Sequence, residues 1–218
     1  MQFFIEDISK ISFLDWAALL IFIMCIILSI YLRDRARKMG RMTGKKIRSV
    51  YRKSWVKEML AQNNSKILTD VVRNQIMVST ALLSAIVISF GFVISLSNLL
   101  GLYGSLLLMI KIALVLILIT YAFFMILLET RTLVYVPVAF NVDPVLIKKY
   151  EKMEKEDYVA KLLHESFDHF SNAIRAIFFA IAVIAWLYNT YFFIFIVLAF
   201  TLVMVREDYG ERSEITLF

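Results

Sequence analysis

Residues 76–100 run for 25 positions without one charged side chain. A helix at 1.5 Å per residue needs about 20 apolar residues to cross about 30 Å of hydrocarbon, and a run of this length is hard to accommodate in a small soluble core. Three more runs share that character: 13–32 carries only Asp15, 105–128 carries only Lys111, and 176–205 carries no charge over 30 residues. The whole chain is 61% hydrophobic and 19% charged, against about half and about a quarter in soluble domains. These features predict an all-α integral membrane helical bundle, organised as a single membrane domain over residues 1–218.

The first run follows acidic residues, Glu6 and Asp7, and precedes a basic block, the reverse of a secretory signal, so it reads as an uncleaved first helix. Runs 76–100 and 105–128 form a hairpin around Gly101 and Gly104, where glycine loosens the backbone. As one helix, 176–205 is about 45 Å long and would need an extreme tilt. Divided at the Tyr188-Asn189-Thr190-Tyr191 stretch and extended to Asn172 and Arg206, it becomes two spans of about 26 Å, 172–189 and 190–206. About five transmembrane helices are therefore expected, with four as the alternative. Residues 33–75 and 129–171 are left as cytoplasmic segments bearing amphipathic helices.

Residues 33–58 hold eleven Lys or Arg and two acids, so the net charge of +6 is local. For five spans, 13 basic residues in 33–75, six in 129–172 and two in the tail fall on one side, and only Lys10 falls on the other. The positive-inside rule then places the N-terminus outside and the basic segment in the cytoplasm of a cell-membrane protein. Basic charge beside an apolar helix fits anionic phospholipids better than nucleic acid. Arg33, Arg35, Arg37, Lys38, Arg41, Lys45, Lys46 and Arg48 are the candidate headgroup contacts. Between 45 and 72, apolar residues recur at helical spacing among Lys and Arg, as in a helix lying on the inner headgroup layer. The second segment opens a helix at Asp143-Pro144. Its acids Glu151, Glu154, Glu156 and Asp157 either pair with the basic block, folding both segments into one layer, or sit on an independently solvated helix.

Catalytic chemistry finds no support. Gly40 to Lys46, "GRMTGKK", has the wrong glycine spacing for a phosphate loop and lacks the Ser/Thr that holds magnesium. His164 and His169 are five apart where a zinc helix needs four, and His164 with Asp168 reads as a surface pair. No enzyme, metal or cofactor is expected. Ionisable groups inside spans are the better pointers to function, because charge facing lipid is expensive. Asp15, Lys111, Glu129, Arg131 and Arg175 qualify, with an outer Lys111–Asp15 contact and an inner Arg175–Glu129 contact expected. Ala81, Ser84, Gly91 and Ser95 on the second span, and Ala173, Ala176 and Ala180 on the fourth, form small-residue stripes that suit close helix packing and a homo-oligomer. Ser79, Ser84, Ser89 and Ser95 offer only a thin polar line.

Three segments, "YRKSWVKEMLAQNNSKILTDVVRNQIMVS", "KIALVLILITYAFFMILLETRTLVYVPVAFNVDP" and "SNAIRAIFFAIAVIAWLYNTYFF", taken in this order resemble the multi-pass membrane family catalogued as domain of unknown function 599. The resemblance runs from about Tyr51 to Tyr209 and rests on Trp55, Met59, residues 121–124, Arg131, Tyr135, Arg175 and Trp186. It implies several spans and membrane residence, and brings no activity or ligand with it. Two functions fit this sequence: an oligomeric channel- or transporter-like protein, and a non-transporting scaffold that binds anionic lipid or a cytoplasmic partner through its basic layer.

Overall fold

The computed structural model describes residues 12–38, 44–99 and 105–209. Every regular element among them is an α-helix: α1 (Phe13–Lys38), α2 (Gly44–Ala61), α3 (Ser65–Leu99), α4 (Leu106–Asn141), α5 (Pro144–Glu151), α6 (Lys155–Trp186) and α7 (Thr190–Tyr209). Five of them, α1, α3, α4, α6 and α7, are long and apolar enough to cross a membrane. Their outward faces suit lipid, since Leu20, Ile27, Ile88, Phe92, Phe195 and Leu202 are each more than half exposed, a surface that water would not tolerate in such quantity.

The last apolar stretch is two helices. Asn189 starts the second, its Oδ1 accepting from the backbone N–H groups of Tyr191 at 2.8 Å and Phe192 at 3.3 Å, the bonds by which an N-cap satisfies the open donors of a first turn. This excludes the four-span alternative for the described residues.

Several sequence boundaries move. The amphipathic segment expected over 45–72 breaks at Asn63, which has φ 50°. Asn63 N–H donates to the Leu60 carbonyl and Asn64 N–H to that of Met59, the paired bonds of a Schellman cap, and the Asn64 side chain then opens α3 by accepting from Ile67 N–H at 3.3 Å. Two adjacent asparagines thus end one helix and begin the next. Further on, α3 and α4 have 35 and 36 residues, about 52 and 54 Å of helix against about 30 Å of hydrocarbon. Much of the expected cytoplasmic segment 129–171 is therefore helix continuing from the third span and leading into the fourth. Pro137 lies inside α4 without ending it. The expected start at Asp143-Pro144 does hold, with the Asp143 carboxylate accepting from Val145 N–H at 2.8 Å.

The chain packs as two compact units, one within residues 1–45, 88–120 and 175–218, the other within 46–87 and 121–174. In the first, α1 packs against α7 around an aromatic core. Phe22 meets the ring of Phe179 edge-on at 5.7 Å and lies 5.6 Å from Phe193, which stacks flat on Trp186 at 4.5 Å. In the second, Val56 and Met59 of α2 join Leu68 and Val72 of α3, Leu133, Val136 and Phe140 of α4, and Val159, Leu162 and Leu163 of α6.

Along α4, beside Lys111 and Ala139, the buried positions are Ile112, Val115, Ile119, Ala122, Ile126, Glu129, Leu133, Val136 and Phe140. They advance by alternate steps of three and four, the seam of a helix that packs knobs into holes. On α3, Val72, Ser79, Ile86 and Val93 are buried seven apart. Of the small-residue stripes, Ala173, Ala176 and Ala180 are buried within the chain, whereas Ala81, Ser84, Gly91 and Ser95 are exposed, and a Cβ added at Gly91 would meet nothing within 4 Å.

Candidate functional site

In the first unit Lys111 and Asp15, expected to meet, lie close enough for their charges to interact and also share a partner. Lys111 Nζ donates to the backbone carbonyl of Trp186 at 2.9 Å and lies 4.8 Å from the centre of its indole ring. Trp186 is the last residue of α6, where carbonyls lack helical partners and the helix dipole is negative, so an ammonium group caps it favourably. Asp15, in the first turn of α1, accepts from Trp186 Nε1 at 3.0 Å and Thr190 Oγ1 at 2.8 Å. The acid and the amine both hold the α6–α7 turn. The void lined by Asp15, Trp16, Leu19, Leu107, Ile110 and Trp186 measures about 10 Å³, room for one water at most.

Arg175, expected beside Glu129, takes its partner from α7. Arg175 Nη2 donates to Asp208 Oδ2 at 2.7 Å, the two side chains being 17% and 8% exposed. The α6–α7 hairpin carries a carboxylate at the end of α7 back to Arg175. The sequence reading ends the last span at Arg206, which puts Asp208 beyond it.

Glu129 lies in the second unit and is fully buried. Gln75 Nε2 donates to its Oε1 at 2.8 Å, and Ser79 Oγ lies 2.9 Å from its Oε2. Gln75 and Ser79 are four apart on α3, so one helical turn presents both groups to a single carboxyl. Arg131, two residues on, is exposed and shares nothing with it.

The second unit also fixes the basic helix α2, which holds six Lys or Arg and one Glu in 18 residues. Val56 and Met59 bury its inner face among residues of α6. Around that apolar seam, Lys53 pairs with Asp157 at 2.5 Å, while Arg52 lies 2.9 Å from His164 Nδ1 and 5.1 Å from the centre of the Phe167 ring. Asp157 is one of the acids expected to meet the basic block, and this pair joins α2 to α6. A guanidinium only donates, so His164 Nδ1 must be the accepting nitrogen. His164 Nε2 lies 3.7 Å from Asp168, the expected neighbour four residues on. Burial pushes the Arg52 guanidinium below its ordinary value, while the hydrogen bond to Asp157 holds the Lys53 ammonium above its own.

Of the candidate headgroup contacts, Arg35, Lys46 and Arg48 are exposed and Arg33 is only 8% exposed. Arg41 and the side chains of Arg37, Lys38 and Lys45 lie outside the described residues. On the serine line, Ser79 and Ser84 bond the backbone of their own helix one turn back.

Sequence reasoning missed Trp186 as the hub of the first unit, since it searched for opposite charges and a backbone carbonyl has no letter. It also missed that Glu129 occupies a seam position, which steps of three and four from Ile126 to Leu133 would have revealed. No curated protein and no solved structure matches the chain. Apart from Asp15, the charged positions described above fall within residues 16–213, which match the family model described as "Protein of unknown function, DUF599", and the chain belongs to that family.

Proposed function

We propose that this membrane protein is a non-transporting scaffold that gathers anionic phospholipid along α2 at the inner leaflet. The observation that carries the reading is the anchoring of α2. Its inner face is held by Val56 and Met59, and the Lys53–Asp157 pair and the Arg52 contacts fix its rotation. Lys46, Arg48 and Lys57 are exposed on it, together with Val50 and Tyr51. Basic groups beside an apolar strip suit a helix resting at a headgroup layer, where each basic residue contributes about 1 kcal/mol. The charge asymmetry along the sequence supports placing this helix inside and the N-terminus outside. The exposed stripe of Ala81, Ser84, Gly91 and Ser95 suits self-association in the bilayer.

The transporter-like reading draws less support. A conducting path wants polar groups along an open line, and the intramembrane charges of the first unit are tied to a helix end and to each other among packed rings.

The test is the lipid retained by the purified protein. Mass spectrometry of the protein in mild detergent should find anionic phospholipid enriched several-fold over zwitterionic. The enrichment should fall at least threefold in the K46Q/R48Q/K57Q variant and in 0.5 M salt. Equal retention of both lipid classes would overturn the proposal. Ion flux above background in liposomes containing the protein would restore the transporter reading.

A further inference from the structure

The side chain least accounted for is Glu129. It occupies a core position of the α4 seam where the neighbouring seam positions are apolar, and it is fully buried. Among the described residues its polar contacts are Gln75 and Ser79, and no charged side chain acts on it. A carboxylate withdrawn from water ordinarily has a cation beside it. This one has an amide and a hydroxyl.

The hydrogen-bond count turns on one proton. Ser79 Oγ lies 2.9 Å from Glu129 Oε2 and 3.0 Å from the Gln75 carbonyl oxygen. A hydroxyl has one hydrogen to give and can accept in return. If Glu129 is ionised, Ser79 donates to Oε2, and the Gln75 carbonyl keeps its place in the α3 ladder. If Glu129 carries a proton, its own O–H donates to Ser79 Oγ, and the Ser79 hydrogen turns to the Gln75 carbonyl. Gln75 Nε2 donates to Oε1 in both cases. The same heavy-atom positions satisfy both states, which differ by one proton and the rotation of one hydroxyl.

A polar residue at a seam position can serve only to fix helix register, and for that an amide would do as well as an acid. We propose that Glu129, Ser79 and Gln75 form a proton-binding site in the second unit, loaded and unloaded through the Ser79 hydroxyl. The proton is exchanged with water, and nothing is oxidised or reduced. The site is independent of the lipid reading, so failure of one leaves the other standing.

Dicyclohexylcarbodiimide, an apolar reagent that labels protonated carboxyls in apolar surroundings, tests this on the unaltered protein in detergent. The peptide carrying Glu129 should be labelled at low pH, and labelling should fall at least tenfold along a single one-proton titration as the pH is raised. Glu129→Gln should abolish the label on that peptide, and Ser79→Ala should displace the titration midpoint while leaving the label in place. Absence of label, or labelling independent of pH, would overturn the proposal. Protection by sodium at constant pH would overturn it too, marking an alkali-cation site instead. An unmoved midpoint in Ser79→Ala would remove the hydroxyl from the mechanism.

Discussion

In the first unit, Asp15, Lys111, Arg175 and Asp208 are partly or wholly withdrawn from solvent, and each meets an opposite charge, a helix end or the N–H of an indole. In the second, Glu129 is more deeply buried than any of them and meets only neutral groups. Charge in the first unit holds helix ends in place, so removing one partner strands the other. At Glu129, on the proposal above, charge is one of two states of a single carboxyl, so a neutral replacement of the same shape leaves the packing satisfied. The contrast predicts a steep order of mutational cost.

The largest effect belongs to the Arg175–Asp208 pair. Asp208→Ala leaves a guanidinium in a site where its carboxylate was only 8% exposed, and breaking a buried pair from one side costs about 3–5 kcal/mol. Thermal unfolding in detergent should show this as a clear loss of stability. The double variant R175M/D208L should recover most of it, because two apolar side chains leave nothing unpaired. If the double variant is no more stable than the single one, the pair does not act as the first unit's lock.

Lys111→Met comes next. It deletes the bond to the Trp186 carbonyl and the contact with the indole face, while keeping a long apolar stem. A hydrogen bond from a charged donor contributes about 1.5–3 kcal/mol, so a loss of about 2 kcal/mol is expected by the same measurement. Trp186 fluorescence should also change, since the ammonium leaves the ring. An unchanged spectrum and midpoint would show that the α6–α7 turn stands without its cap.

These two sites also show what the sequence could and could not disclose. Five spans were legible because length and charge are written in the letters, and Asn189 marked the division of the last stretch. Asp143-Pro144 was legible for the same local reason, a cap followed by a residue that suits the first turn. The pairings were not. Asp15 and Lys111 meet at a backbone carbonyl and an indole, and which carbonyl lies within reach depends on where α6 stops. Asp208 was set aside as tail because the span was taken to end at Arg206, whereas α7 runs on to Tyr209. Glu129 was taken as the point where the third span stops, since hydropathy ends at the first charge, but the α4 seam runs through it to Phe140.

Glu129→Gln sharpens the comparison from the other side. The amide keeps an oxygen for Ser79 or Gln75 and brings its own donors, so the neutral layer is preserved and the stability loss should stay within about 1 kcal/mol, in the range of one hydrogen bond rearranged. Glu129→Leu fills the seam but strands the Gln75 amide, while Ser79 keeps the Gln75 carbonyl, and should cost about 1–3 kcal/mol for the unmade bond. If Glu129→Gln proves as damaging as Asp208→Ala, the carboxylate is structural in both units and the contrast disappears.

Lys53→Gln should have the smallest effect. Its pair with Asp157 is short, but the lysine side chain is 60% exposed, and exposed ion pairs contribute little to stability. The bond and charge of Asp157 raise the Lys53 ammonium above its ordinary value. Whatever the pair contributes is therefore fully present below the usual lysine range and is lost only as pH rises through the raised value. Between pH 5 and 9 the variant should unfold within error of the unaltered protein, with any difference constant across that range. If the variant unfolds clearly earlier than the unaltered protein anywhere in that range, the pair contributes more than an exposed ion pair does.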